Sequence, residues 1–148
     1  MLEQLLLSLK DSLQRRDADY VQQFDDVLCR ISALNDPACI GPLLSFLDDD
    51  SEFDETMFSI VHAIESFDDD TYVREILDNL PRLIARSPRW ASIIHARIFN
   101  NPSTLAAYDQ RIRTASDQQK IAVHDAVQAV RQRSLDFAPV CDALLAAL

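Results

Sequence analysis

Glycine occurs once in this chain, at Gly41, and this scarcity constrains the fold more than any other feature. Tight β-turns use glycine at backbone positions that other residues adopt poorly, so a chain of 148 residues with a single glycine is unsuited to hairpins. Alanine and leucine, both strong helix formers, are abundant. The sequence therefore predicts an all-α fold, and its length predicts one domain over residues 1–148. Glycine-rich phosphate loops are excluded too, and no cofactor is indicated.

Apolar residues recur at intervals of three and four from Leu2 to Leu13 and again from Tyr20 to Leu34. This spacing places them on one face of a helix and predicts two amphipathic helices. Asp17 or Asp19 is suited to capping the second helix. Asp36-Pro37 ends it and begins the next one.

From residue 36 onward the sequence pattern predicts pairs of helices that repeat about every thirty residues. This interval is typical of helical solenoids. Each unit opens on a capping residue, at Asp36-Pro37, Asp70-Thr71 or Asn101-Pro102, and a further cap is expected at Ser116. The pattern predicts helices over residues 37–47, 53–67, 71–86, 89–99, 102–114, 117–133 and 137–148. The architecture expected is a short HEAT-like α-solenoid or a compact bundle of about eight or nine antiparallel helices.

The three histidines, His62, His95 and His124, fall at matching places in the second helices of these units. Equivalent positions favour a structural role in which each imidazole packs between helices and satisfies a carbonyl. A metal-dependent enzyme is the alternative, because His62 and Glu65 are one helical turn apart. No second pair completes such a site, and no nucleophile motif is present, so we predict neither a metal site nor an enzyme.

The chain carries a formal charge of −10 and has a pI near 4.5. Nucleic acids and anionic membranes have the same sign of charge, so neither is an expected partner. No apolar run is long enough to span a bilayer, and residues 1–10 lack the pattern of a signal peptide. Cys29, Cys39 and Cys141 look like reduced core thiols, which indicates a cytoplasmic protein.

The acidic residues are concentrated between Asp48 and Asp78, where twelve of the 24 lie against one base, Arg74. Runs of three acids exceed what helix capping needs, so we predict a partner-binding face that fits a basic protein surface. The candidate residues are Asp48, Asp49, Asp50, Glu52, Asp54, Glu55, Asp68, Asp69 and Asp70.

Three other interpretations of these acids remain open. Some of them can serve only as caps and first-turn charges. A calcium loop is disfavoured, because Phe53 and Ser59 stand where an EF-hand needs glycine and glutamate. The C-terminal half is rich in arginine, and its bases can pair with the acids inside the fold.

Ser87-Pro88-Arg89-Trp90 combines a helix cap, a proline at the first helical position and the single tryptophan. Trp90 is interpreted as a core residue, and an interface hot spot is the alternative.

The segments FSIVHAIESFDD, from Phe58 to Asp69, and SPRWASIIHARI, from Ser87 to Ile98, give the sequence a family likeness. It resembles the immunity protein 30 family of bacterial polymorphic-toxin systems. The resemblance implies a cytoplasmic protein, encoded beside a toxin, that binds the toxin domain and blocks it. Positions similar to the family's motif are expected to define the fold or to contact the toxin, and they are His62, Glu65, Trp90, His95 and Arg97.

The first functional hypothesis is therefore an immunity protein that neutralises a cognate toxin domain through its acidic face. The alternative is a small HEAT-like adaptor that binds another protein or peptide. Neither hypothesis specifies the toxin or the oligomeric state.

Overall fold

The computed structural model describes residues 1–15 and 18–148, which form two compact units, Met1–Asp68 and Asp69–Leu148. Within the described residues all regular structure is helical and comprises nine α-helices and two short 3-10 helices. The predicted all-α class and the number of helices are confirmed. The single domain and the HEAT-like arrangement stay predictions.

The first unit contains four helices, α1 (Leu2–Gln14), α2 (Tyr20–Ala33), α3 (Ile40–Ser45) and α4 (Asp54–Glu65). A 3-10 helix, Pro37–Cys39, leads directly into α3. The helix α2 packs against α1 and α4, and α3 packs against α4. The apolar faces predicted for α1 and α2 are turned inward, since Leu9, Phe24 and Ile31 have no exposed surface.

The second unit contains five helices, α5 (Asp69–Arg86), α6 (Pro88–Phe99), α7 (Pro102–Ile112), α8 (Asp117–Arg133) and α9 (Ala138–Ala146). A 3-10 helix, Leu135–Phe137, precedes α9. The helix α8 packs against α5, α6 and α9, and α5 also contacts α6 and α7. Pro81 lies inside α5, where it lacks the N–H of an intrahelical hydrogen bond, yet the helix continues to Arg86 as predicted.

Most helix starts lie where the capping residues predicted them. The Asp36 carboxylate accepts the N–H of Ala38 at 3.0 Å, and the Asn101 side chain accepts that of Thr104 at 3.4 Å. Ser116 and Gln119 form a capping box. Asp70 is a correction: α5 begins at Asp69, so Asp70 lies inside the first turn and is not the cap.

The end of α2 contains the one residue with a positive φ in the described chain, Asn35, at 48°. Asparagine tolerates this left-handed conformation better than most residues, so it can end a helix where glycine is usual. Asp19 stands at the N-cap position of α2, but its side chain makes no capping hydrogen bond. The other predicted cap, Asp17, lies outside the described residues.

The three cysteines have free thiols, and two of them, Cys39 and Cys141, are buried as predicted. Cys29 is exposed, so its assignment to the core is wrong. It lies beside the buried Leu28 on α2, on the solvent side of the helix, where apolar neighbours in sequence are not neighbours in space.

Candidate protein-binding site

Six of the nine predicted acidic residues lie close together in residues 48–55, here called the acidic segment, which connects α3 to α4 and forms the first residues of α4. The Asp48 carboxylate accepts the N–H of Asp50 at 2.9 Å, and the Asp48 carbonyl accepts that of Ser51 at 3.1 Å. The Asp48 N–H donates to the sulfur of Met57, 3.4 Å away on α4. The acidic segment is therefore an ordered turn held against α4.

Solvent reaches most of these carboxylates. Asp48, Asp50, Glu52 and Glu55 are exposed, and Asp49 and Asp54 are half-buried. Asp54 and Glu55 lie in the first turn of α4, where negative charge interacts favourably with the helix dipole. These two acids thus have the structural role that the capping interpretation predicted, and Glu55 is also exposed.

The remaining candidates, Asp68, Asp69 and Asp70, lie at the boundary of the two units, with Asp68 ending the first and α5 beginning at Asp69. The Asp69 carboxylate accepts the hydroxyl of Thr104 on α7 at 2.7 Å, which fastens α5 to α7 within the second unit. Asp69 is half-buried, whereas Asp68 and Asp70 are exposed. Asp69 therefore has a structural role, because its carboxylate links α5 to α7.

The charge of the chain is divided unequally between the two units. Residues 1–68 contain 15 of the 24 acidic residues and 4 of the 14 basic ones, a formal charge of −11. Residues 69–148 contain the other 9 acids and 10 bases, a formal charge of +1. The first unit thus accounts for the negative charge of the whole protein.

The shared packing role predicted for the three histidines is wrong. His62 on α4 and His124 on α8 are exposed, and only His95 on α6 is buried. The residues before and after these histidines are similar in sequence, but the helical face that carries each histidine is set by the surrounding helices. Local sequence similarity therefore did not predict whether each histidine is buried or exposed.

His95 is fully buried, and both of its ring nitrogens have partners. Nδ1 lies 2.7 Å from the Ala91 carbonyl and Nε2 lies 2.7 Å from the Tyr108 hydroxyl. A carbonyl only accepts hydrogen bonds, so Nδ1 carries the proton. Burial lowers the pKa of His95 from 6.5 to about 4, and the bond to Ala91 opposes this change. The ring is therefore neutral near pH 7, and Nε2 accepts the Tyr108 hydroxyl proton.

An aromatic cluster surrounds this bond. The His95 ring meets Tyr108 and Phe99 edge to face, with centroids 5.3 and 6.0 Å away, and Phe99 also contacts Phe137. The cluster joins α6, α7 and the 3-10 helix before α9. Burial raises the pKa of Tyr108 above its usual range, so its hydroxyl keeps its proton. His95 consequently supports the fold of the second unit.

The other residues similar to the family's motif differ in accessibility. Trp90 is fully buried, so its interpretation as a core residue is confirmed. Glu65, the last residue of α4, and Arg97 on α6 are half-buried. His62 is exposed. His62, Glu65 and Arg97 are thus accessible to a partner. Trp90 and His95 are inaccessible in the folded protein.

Sequence reasoning missed an apolar groove between α7 and α9, in the second unit. Its volume is about 480 Å³. Most of its lining is small and apolar, and the ion pair of Asp109 and Arg113, at 3.1 Å, also lines it. The apolar lining consists of Pro102, Leu105, Ala106, Val140, Ala143, Leu144 and Ala147. Toward the C-terminus, Val140, Ala143, Leu144 and Ala147 recur at intervals of three or four, and this apolar face was the signal in the sequence.

Two further findings concern the described residues, 1–15 and 18–148. No group of three or more His, Cys, Asp or Glu side chains among them is arranged to hold a metal ion. Each helix in these ranges is too short or too polar to cross a membrane.

Comparison with known proteins identifies the family to which the chain belongs. The model of immunity protein 30 matches residues 2–108. The chain belongs to the immunity protein 30 family. The match spans the helices of the first unit together with α5, α6 and most of α7, and it includes both segments that carry the resemblance. Within this immunity protein 30 member, α8 and α9 lie beyond the matched residues. Searches of curated proteins and of solved structures found no match.

Proposed function

We propose that this protein is a non-enzymatic cytoplasmic inhibitor that binds and neutralises a cognate toxin domain of a polymorphic-toxin system. Membership of the immunity protein 30 family is the observation that carries the proposal. In this proposal the protein protects the cell that makes the toxin, and the complex forms in that cell's cytoplasm.

The toxin domain docks on the acidic residues named above, which are those of the acidic segment together with Asp68, Asp69 and Asp70. Two observations support this choice. The first unit has a formal charge of −11, and four carboxylates of the acidic segment are exposed on an ordered turn. A prearranged negative surface accelerates encounter with a basic partner and fixes its orientation. The toxin surface is therefore expected to be basic.

The central test replaces Asp48, Asp49 and Asp50 together by lysine. The probe is the toxin domain encoded by the neighbouring gene, carrying an inactivating substitution. Because steering by charge raises association rates about 10-fold or more at low salt, the triple variant should associate at least about 10-fold more slowly. Its association rate should also depend less on NaCl concentration. Co-expression with the active toxin should no longer rescue growth.

A matched control changes the net charge by the same amount at a different place. Glu3, Asp11 and Asp26 are exposed acids on α1 and α2 of the same unit, and they are replaced together by lysine. This control should keep most of the wild-type association rate. Equal slowing of both triple variants, or no slowing of either, would count against a localised acidic face.

The adaptor alternative has one observation in its favour, the apolar groove between α7 and α9, since such grooves accept the apolar face of a helix. Ala143→Arg places a long charged side chain in this groove and serves as a further arm of the same experiment. If Ala143→Arg abolishes toxin binding and the lysine variants do not, the groove is the docking site and the acidic-face mechanism is wrong.

A further inference from the structure

Phe53 is an apolar ring at the surface of the most acidic part of the chain. It lies at the N-cap position of α4, inside the acidic segment, and 38% of its surface is exposed. Residues 48–55 otherwise consist of six acids and one serine, with no base. Aromatic residues are enriched at the centres of protein interfaces, whereas charged residues lie mainly at their rims, so an exposed ring flanked by acids fits an anchor with a charged surround.

The contacts around Phe53 hold the ring in a defined position. Its ring packs on Tyr20 of α2, with centroids 5.4 Å apart and a tilt of 58°. The Tyr20 hydroxyl is in turn hydrogen-bonded to the Thr56 hydroxyl at 2.8 Å, in a buried position. The Phe53 N–H donates to the Ser51 hydroxyl at 3.2 Å. Phe53 is therefore supported by Tyr20 while 38% of its surface stays exposed.

A ring held in this way loses little conformational freedom on binding, so its burial contributes more fully to affinity. The carboxylates on both sides of it select the chemistry of the partner. Only a surface rich in lysine or arginine offsets their charge, and such a surface can receive the ring in an apolar pocket or place a cation over its face. Charge and ring then have separate effects, because exposed charges mainly set the association rate and buried anchors mainly set the dissociation rate.

We propose that Phe53 is the residue that anchors the toxin domain, by inserting its ring into an apolar recess within the basic surface of that domain. This inference rests on the proposed function. It adds a specificity-determining residue that charge alone did not indicate, and it assigns the lifetime of the complex to Phe53 and its formation rate to the acids around it.

The test measures association and dissociation of the inactivated toxin domain encoded by the neighbouring gene, with wild-type protein, Phe53→Ala and Phe53→Tyr. Because anchors act on dissociation, Phe53→Ala should dissociate at least about 10-fold faster, with an association rate within about 3-fold of wild type. Phe53→Tyr keeps the ring and should stay within about 5-fold of wild type in both rates. Urea unfolding of each variant identifies any loss caused by weaker packing on Tyr20.

Leu7→Ala is the matched control, because Leu7 is a large apolar residue of the same unit with 64% of its surface exposed, on α1 and away from the acidic segment in sequence. Its dissociation rate should equal that of wild type. The inference is wrong if wild-type protein binds the toxin domain and folded Phe53→Ala dissociates no faster, or if Leu7→Ala has the same effect. If wild-type protein does not bind the toxin domain at all, the proposed function itself fails.

Discussion

His95 is a histidine whose two ring nitrogens are both used inside the fold, one by the Ala91 carbonyl and one by the Tyr108 hydroxyl. In this state it behaves as a neutral core residue, and the rings of Tyr108 and Phe99 pack edge to face with it. Protonation would place a positive charge on Nε2, which then could no longer accept the Tyr108 proton. The fold of the second unit therefore favours the neutral ring.

This preference makes stability depend on pH in a predictable direction. The pKa of His95 is lowered to about 4 in the folded protein from 6.5, so the unfolded chain takes up this proton first as the pH falls. The contribution is complete above about pH 6.5 and is lost between about pH 6.5 and pH 4. At about 1.4 kcal/mol per pKa unit, the loss amounts to about 3 kcal/mol.

Urea unfolding of wild type and of His95→Gln between pH 7.5 and pH 4 measures this loss. Carboxylates titrate in both proteins, so the difference between the two curves isolates His95. His62→Gln, at an exposed histidine, tests for a general effect of removing an imidazole and should change stability at pH 7.5 by less than about 0.5 kcal/mol. Parallel pH curves for wild type and His95→Gln would contradict the prediction.

Among the helices, the starts are set by local chemistry. The Ser116 hydroxyl accepts the Gln119 N–H at 3.1 Å, and the Gln119 side chain accepts the Ser116 N–H at 3.0 Å. The box begins α8, which packs against α5, α6 and α9. Gln119 also donates to Asp78 on α5 at 3.0 Å, so the start of α8 is tied to a neighbouring helix.

Removing the cap should destabilise the protein measurably. Ser116→Ala leaves the Gln119 N–H without this acceptor, and we expect a loss of about 1 kcal/mol in the free energy of unfolding. Ser116→Asn is the matched control, since asparagine caps about as well as serine, and it should stay within about 0.3 kcal/mol of wild type. Chemical denaturation measures both. Equal stability of the alanine variant and wild type would show that the hydroxyl bond contributes nothing.

Over the whole molecule, the separation of charge is the feature with the widest consequence. The first unit holds 15 acids against 4 bases. Like charges at this density repel one another, and this repulsion opposes folding unless salt or a cationic partner reduces it. The concentrated negative charge of the first unit thus carries a stability cost.

Stability should therefore rise with salt. Between about 20 mM and about 300 mM NaCl the Debye length falls severalfold, so the urea midpoint of wild type should increase. Replacing Asp48, Asp49 and Asp50 by asparagine should raise the midpoint most at low salt and reduce its dependence on NaCl. A wild-type midpoint that falls as NaCl is added would mean that ion pairs outweigh the repulsion.

The fold class and most helix boundaries could be predicted from the sequence, because the signals for them are local. A helix start depends on a cap such as Asp36, Asn101 or Ser116 and on the next few backbone amides, all of which are close in sequence. An apolar face depends on spacing within one helix. The family likeness was predictable too, since it is carried by contiguous segments.

Other features depended on which helices meet, and only the tertiary structure decided them. Local sequence could not show that His95 is buried while His62 and His124 are exposed, or that Cys29 lies outside the core. The groove between α7 and α9 and the bond from Thr104 to Asp69 join residues more than 25 positions apart. The acidic segment follows the same division: its charge was evident in the sequence, whereas the supported position of Phe53 within it depends on Tyr20, a distant residue brought close by packing.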